Sequence, residues 1–130
     1  MQYIYTAVFT PIENDQGFYA RVPDLPGCIT TGATLSDAID QITDAMNGWL
    51  VVAEDESLDI NPPTPQTELP ANPGDSFAYI KADTILYRAA TDNRAVRKNV
   101  SLPAWMLNMA EKKHINCSKI LQDALMNILS

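Results

Sequence analysis

Histidine is nearly missing from this chain: His114 is the only one in 130 residues. A His-rich metal centre is therefore excluded, and one imidazole is left for any acid–base role. Cysteine is almost as scarce. Cys28 and Cys117 stand far apart in segments of different character. A disulfide framework is excluded, and two unpaired thiols in a reducing, cytoplasmic setting are expected. No apolar run approaches the roughly eighteen residues that a membrane span needs. The N-terminus opens directly on alternating β-branched and aromatic residues, without the basic n-region of a signal peptide. No internal repeat is present.

Basic residues are missing from most of the chain. Residues 1–93 hold 14 Asp/Glu against 3 Lys/Arg, a net charge of −11, whereas residues 94–130 hold 2 against 6, a net +4. A basic end on an acidic body implies two partners of opposite charge: nucleic acid for the former, a basic protein for the latter.

The basic end carries the most informative stretch, RAVRKNVSLPAWMLNMAEKKHINCSKILQDALMNIL, from Arg94 to Leu129. Val96, Val100 and Leu102 alternate with Arg97, Asn99 and Ser101, so a strand is expected over 96–102. Lys98 interrupts the apolar side and is expected to snorkel toward phosphate. Pro103 forbids further sheet and suits the first turn of a helix. That helix carries Met106, Met109 and Ala110 on one side. A second helix carries Ile120, Leu121, Ala124, Leu125, Ile128 and Leu129 at the spacing of one buried face. One strand and two short helices cannot close a core alone. The expected solution is a homodimer in which two copies of the strand pair antiparallel. Arg97, Asn99 and Ser101 of both copies then lie on one ribbon face that fits the major groove. The segment resembles the ribbon-helix-helix family of DNA-binding repressors. The resemblance implies base contacts from Arg97, Asn99 and Ser101, and phosphate clamping by Asn116, Cys117, Ser118 and Lys119, with Asn116 as N-cap. His114 departs from the glycine usual in the family at the turn between helices; His tolerates a left-handed backbone better than most residues. Trp105 fits either the surface or a dimer contact.

Before this stretch, the alternation of QYIYTAVFT puts Tyr3, Tyr5, Ala7 and Phe9 on one side of a strand over residues 2–10. Asn14, Asp15 and Gly17 mark a turn, and Phe18–Val22 alternates again, so residues 2–22 form a hairpin. Pro23-Asp24-Leu25-Pro26-Gly27 is a rigid bend before a third short strand, Cys28–Gly32. Thr34-Leu35-Ser36-Asp37 is a capping box with Asp in place of Glu. The helix after it has Leu35, Ala38, Ile39, Ile42, Ala45, Met46, Trp49, Leu50 and Ala53 on one stripe, wide enough to cover a sheet. Asp37, Asp40, Gln41, Asp44 and Asn47 fall outside the stripe. Residues 54–76 are a Pro-rich acidic connection. A fourth strand is expected over Phe77–Ala82, a short helix over Asp83–Arg88 and a linker over Ala89–Asn93.

The run GFYARVPDLPGCITTGATLSDAID resembles the signature of the HicB antitoxin family of type II toxin–antitoxin systems: an aromatic pair, V-P-D-L-P-G-C, a G-x-T step, then an amphipathic helix. The later run RAVRKNVSLPAWML resembles the end of that family's ribbon-helix-helix subgroup. Together the resemblances imply an α+β chain. Residues 1–92 form a partly degraded RNase H-like β-sheet with a packed helix, which binds a toxin. Residues 94–130 form a C-terminal ribbon-helix-helix dimerisation and DNA-binding domain. They also imply neutralisation of a HicA-type mRNA-cleaving toxin, and autorepression of the operon by binding operator DNA. The toxin contact is placed on Tyr19, Arg21 and Asp24 and on the outward helix residues Asp37, Asp40 and Asp44. No enzyme activity, metal or cofactor is expected; oligomers beyond the dimer stay open.

Two other functions compete. One is a stand-alone ribbon-helix-helix regulator whose first domain senses a ligand. The other is an active RNase H-type nuclease using Glu13, Asp15, Asp24, Asp37, Asp40 and Asp44 around two metals. Most of those carboxylates belong to a turn or one solvated helix face, so surface charge is the better account. The Met106, Met109 and Met126 set reads as core, Cys28 as a buried filler, His114 as a helix C-cap, and Glu54-Asp55-Glu56 as a solvated helix end.

Overall fold

The computed structural model describes residues 1–14, 16–92 and 94–130. They fall into two compact units, Met1–Arg88 and Ala89–Ser130.

Strand alternation builds the first unit. β1 (Gln2–Pro11), β2 (Phe18–Arg21), β3 (Ile29–Gly32) and β4 (Ser76–Asp83) form one sheet in the order β3-β2-β1-β4, antiparallel throughout. The register sets Phe9 opposite Ala20, Tyr5 opposite Ile80 and Tyr3 opposite Ala82. Those side chains, with Ala7 and Val22, make one apolar face. The bend at residues 23–27 is locked by Leu25 N–H donating to the Val22 carbonyl (3.1 Å) and Cys28 N–H to that of Leu25 (3.0 Å). Gly27 there takes φ +84°, a left-handed backbone suited to glycine.

Helix α1 (Leu35–Asp55) covers the apolar face through Ala38, Ile42, Met46, Leu50 and Ala53, all fully buried. Its start is capped reciprocally. Asp37 N–H donates to Thr34 Oγ1 (3.0 Å), and Asp37 Oδ2 accepts from Ala33 N–H (2.9 Å), one residue further back than the usual box. Two residues depart from the expected stripe. Leu35, in the first turn, is exposed. Asn47, expected outside the stripe, is buried, and its amide donates to the Thr43 carbonyl (3.0 Å). The helix ends with Ser57 at φ 54° and Leu58 N–H donating to the Ala53 carbonyl (2.9 Å), a Schellman closure.

The acidic end of α1 is not simply solvated. Glu54 accepts from Tyr3 Oη (2.7 Å), Thr84 Oγ1 (3.0 Å) and Arg88 Nη2 (3.1 Å). Sequence alone cannot reveal this, because Tyr3 and Thr84 reach Glu54 only once β1 and β4 are paired. Burial raises the Glu54 pKa, but the donors from Tyr3, Arg88 and Thr84 outweigh it and hold the carboxylate below its ordinary value. Tyr3, half-buried and donating to that carboxylate, is pushed up to about 12.

The proline-rich connection has a single 3-10 turn, Gln66–Glu68. It is pinned to the sheet by Tyr5 Oη donating to the Asn61 carbonyl (2.5 Å) and by Ile60 against the core. Helix α2 (Thr84–Thr91) runs past the expected end at Arg88 and takes up the start of the expected linker; Asn93 lies outside the described residues. Asp83 Oδ1 accepts from Ile85 and Leu86 N–H (3.1 and 3.2 Å), and Ala89 and Ala90 are strong helix formers, so the helix continues.

In the second unit, α3 (Ala104–Lys112) follows Pro103, and α4 (Cys117–Leu129) follows its N-cap Asn116. The turn between them is a Schellman motif with His114 as the left-handed residue, φ 54°. Ile115 N–H donates to the Ala110 carbonyl (3.0 Å) and His114 N–H to that of Glu111 (3.1 Å). Residues 94–103 form neither helix nor strand. The expected strand over 96–102 is absent from the single chain because the described residues of this unit hold no second strand to share its ladder.

Candidate functional site

Helices α3 and α4 are amphipathic, yet of residues 94–130 only Ala110 is even half-buried. Trp105 is 62% exposed, Met109 51%, Ile120 55% and Leu129 62%. Lys98, Val100 and Leu102 line one side of a pocket of about 480 Å³ whose other walls include Met106, Ile115, Ile120 and Leu121. Arg97, Lys98 and Asn99 also border a groove with Ser118, Leu121 and Gln122 of α4. Arg97, Asn99 and Ser101 are exposed, like nearly every residue of 94–130. Asn116 Oδ1 accepts from Lys119 N–H (3.1 Å), which leaves the amides of Cys117 and Ser118 leading the helix. Lys119 pairs loosely with Asp123 at 3.8 Å.

The six residues expected to meet the toxin do not converge. Tyr19 and Arg21 project from the sheet face opposite α1; their partners in register are Thr10 and Val8. Asp37, Asp40 and Asp44 lie on α1, which covers the other face. Asp37 is tied into the helix cap, and Asp44 accepts from the Tyr87 hydroxyl. Burial first, and then that acidic neighbour, raise the Tyr87 pKa. Asp24 clasps the proline-rich connection: Oδ2 accepts from Thr64 N–H (2.8 Å), Oδ1 from Thr64 Oγ1 (2.5 Å) and its carbonyl from Asn61 Nδ2 (2.9 Å). Asp40 is exposed.

The face bearing Tyr19 and Arg21 gathers residues that periodicity alone did not single out. Ile4, Phe77, Tyr79 and Lys81 share it, because β1 pairs with β4 at Ile4–Lys81, Thr6–Tyr79 and Val8–Phe77. The signal was present in the alternation of β4, but its register against β1 was not. Thr6, at the middle of this face, is 2% exposed, and its hydroxyl oxygen has no hydrogen-bond partner among the described residues.

The carboxylates weighed as a two-metal centre are scattered over a turn, the bend and α1, and Asp15 lies outside the described residues. Among the described residues no three His, Cys, Asp or Glu side chains group so as to hold a metal ion. Cys28 is buried, and burial pushes its thiol up to about 11, so it is a packing residue. No described helix is long and apolar enough to cross a membrane.

A family profile described as the HicB-like antitoxin of bacterial toxin–antitoxin systems matches residues 5–124. No curated protein matches the sequence. Among solved structures, a chain of a toxin–antitoxin complex from Streptococcus pneumoniae is similar with a TM-score of 0.63 at 15% identity, covering 98% of this chain and 99% of that one. The crystal structure of the Burkholderia pseudomallei antitoxin HicB gives 0.55 at 24% identity, covering 98% and 99%. A chain of the HicA3 and HicB3 toxin–antitoxin complex gives 0.51 at 21% identity, covering 62% of this chain and 99% of that one. At these identities the likeness is one of fold.

Proposed function

The chain belongs to the HicB-like antitoxin family, and from that premise we propose that it neutralises a HicA-type mRNA-cleaving toxin with its first unit and represses its own operon with its second. The observation that carries the second half is the bare apolar side of α3 and α4. Helices so exposed need a partner surface, and a second copy of residues 94–130 supplies one. Two copies of the 96–102 segment then pair as an antiparallel ribbon over four helices. Val96, Val100 and Leu102 turn inward, and Arg97, Asn99 and Ser101 turn outward to base edges in the major groove. The Asn116-capped start of α4, with Cys117, Ser118 and Lys119, meets a phosphate through free amides and the helix dipole. Lys98 reaches the backbone beside it.

The first unit acts without catalysis. We read its meander and covering helix as RNase H-like. Residues 1–88 hold 13 acidic and 3 basic residues, a net −10, and Asp37, Asp40 and Asp44 contribute to the field that draws in a basic toxin. Tyr19 and Arg21 supply contact, Asp24 shapes the adjoining bend, and the toxin's RNA-cleaving site is covered.

Two measurements test the two halves. The full chain should co-purify with the small protein encoded by the adjacent gene; isolation without it removes the toxin half. Arg97→Ala with Asn99→Ala should abolish operator binding while the dimer and toxin binding persist. Unchanged operator affinity in that variant would overturn the ribbon assignment.

A further inference from the structure

We infer that the toxin docks on the sheet face opposite α1, built by Ile4, Tyr19, Arg21, Phe77, Tyr79 and Lys81, and that the acids of α1 act only at a distance. This rests on the antitoxin reading above and narrows it to one surface.

Three observations converge. The first is composition. Ile4, Tyr19 and Tyr79 are 53%, 50% and 65% exposed on this face, and tyrosine with arginine is the pairing enriched at the energetic centres of protein interfaces. The acidic side of α1 has the opposite composition, and two of its three outward aspartates already serve the cap and Tyr87. The second is extent. Four strands at about 4.8 Å spacing present a sheet face about 19 Å wide; at about 3.4 Å per residue it is about 27 Å long across the eight paired residues of β1 and β4 and about 14 Å long across the four-residue strands β2 and β3. That is on the order of 400 Å² before side-chain relief, about half of the ~800 Å² that one partner contributes to a specific interface, and the projecting aromatic side chains add to it. Rigid paired strands also hold these side chains in place, so little ordering entropy opposes docking.

The third is charge. Two of the three cations of residues 1–88, Arg21 and Lys81, project here. The carboxylates of Asp75 and Asp83 stand at the ends of the face; Asp75 lies in the field of Arg21, and its pKa is held down first by its bond from the Asn72 amide and then by Thr10. The face is therefore close to neutral, while the unit as a whole is strongly anionic. A basic protein is attracted by the whole unit yet meets little desolvation cost where it lands, since all but the two carboxylates at the ends of the face are elsewhere. A polyanion such as RNA finds the reverse: two cations to hold it and a net −10 to repel it.

The test uses the whole chain given by the sequence and the purified small basic protein encoded by the adjacent gene. Tyr19→Ala with Tyr79→Ala, both at exposed sites, should weaken toxin binding by about 100-fold or more, as loss of two central aromatic anchors does. Operator binding and the circular dichroism spectrum should be unchanged. Asp40→Asn should leave toxin affinity within about threefold and slow association at low salt. Unchanged affinity in the tyrosine variant, or a larger loss in the aspartate variant, overturns the inference and leaves the antitoxin reading standing. So does tight, tyrosine-dependent capture of a single-stranded RNA probe that competes with the toxin. No toxin binding by the unaltered protein removes both.

Discussion

Gly32 lies so close to Ala38 that a Cβ on it would fall 2.3 Å from the Ala38 backbone nitrogen. The contact joins the end of β3 to the first turn of α1, and both partners are backbone, so no rotamer change can relieve it. Gly32→Ala should destabilise the first unit by at least the upper end of the ~1–3 kcal/mol usual for overpacking. Chemical denaturation of the full chain reads this directly; a cost under half a kcal/mol would mean the helix can shift away freely.

The Glu54 cluster predicts an acid-labile element. Its carboxylate titrates below the ordinary glutamate value in the native chain, so the unfolded chain takes up that proton first. The stabilisation is complete above the unfolded pKa of about 4.3 and is lost as pH falls through the native value. Glu54→Gln should lower stability at neutral pH by about 1.5–3 kcal/mol, the range for hydrogen bonds to charged groups. Arg88 is a third exposed, so solvent screening trims its part of that figure. The difference between parent and variant should shrink toward pH 3; a gap independent of pH would show that the charge is immaterial.

Thr6 offers the opposite case. Its buried hydroxyl has no partner among the described residues, and an unmet buried donor or acceptor costs about 1–3 kcal/mol. Valine keeps the β-branched shape without the oxygen. Thr6→Val should raise the melting temperature of the first unit by several degrees, and a lowered melting temperature would reveal a hydrogen bond that the hydroxyl needs.

His114 holds a left-handed backbone at φ 54° in the α3–α4 turn. Glycine adopts that conformation without the steric penalty on Cβ. His114→Gly should stabilise the second unit by about 1 kcal/mol, and its melting transition, followed by helical ellipticity, should move upward without change in operator affinity.

Much of this molecule is written locally. The β1–β2 hairpin follows from alternation and the turn-forming residues Asn14 and Gly17, α1 from its 3.6-residue stripe and Thr34, and the α3–α4 pair from Pro103, Asn116 and apolar spacing. These are short-range preferences of backbone and side chain, so neighbouring residues suffice to show them. Even the motif V-P-D-L-P-G-C, whose signal is covalent order, led to the family that the profile match over residues 5–124 establishes.

Long-range pairing decided the rest. Glu54 reads as a solvated helix end until β1 and β4 bring Tyr3 and Thr84 to it. Asp24 reads as a surface acid until residues 61–64 fold back onto it. Tyr19 and Tyr79 are 60 positions apart and share a surface only because both β2 and β4 flank β1. Asp37, Asp40 and Asp44 look like companions of Tyr19 and Arg21 until the helix is seen on the other face. Side-chain periodicity states which residues point together within one element, whereas the order and register of elements are set by burial of the whole core, a quantity that no single stretch contains.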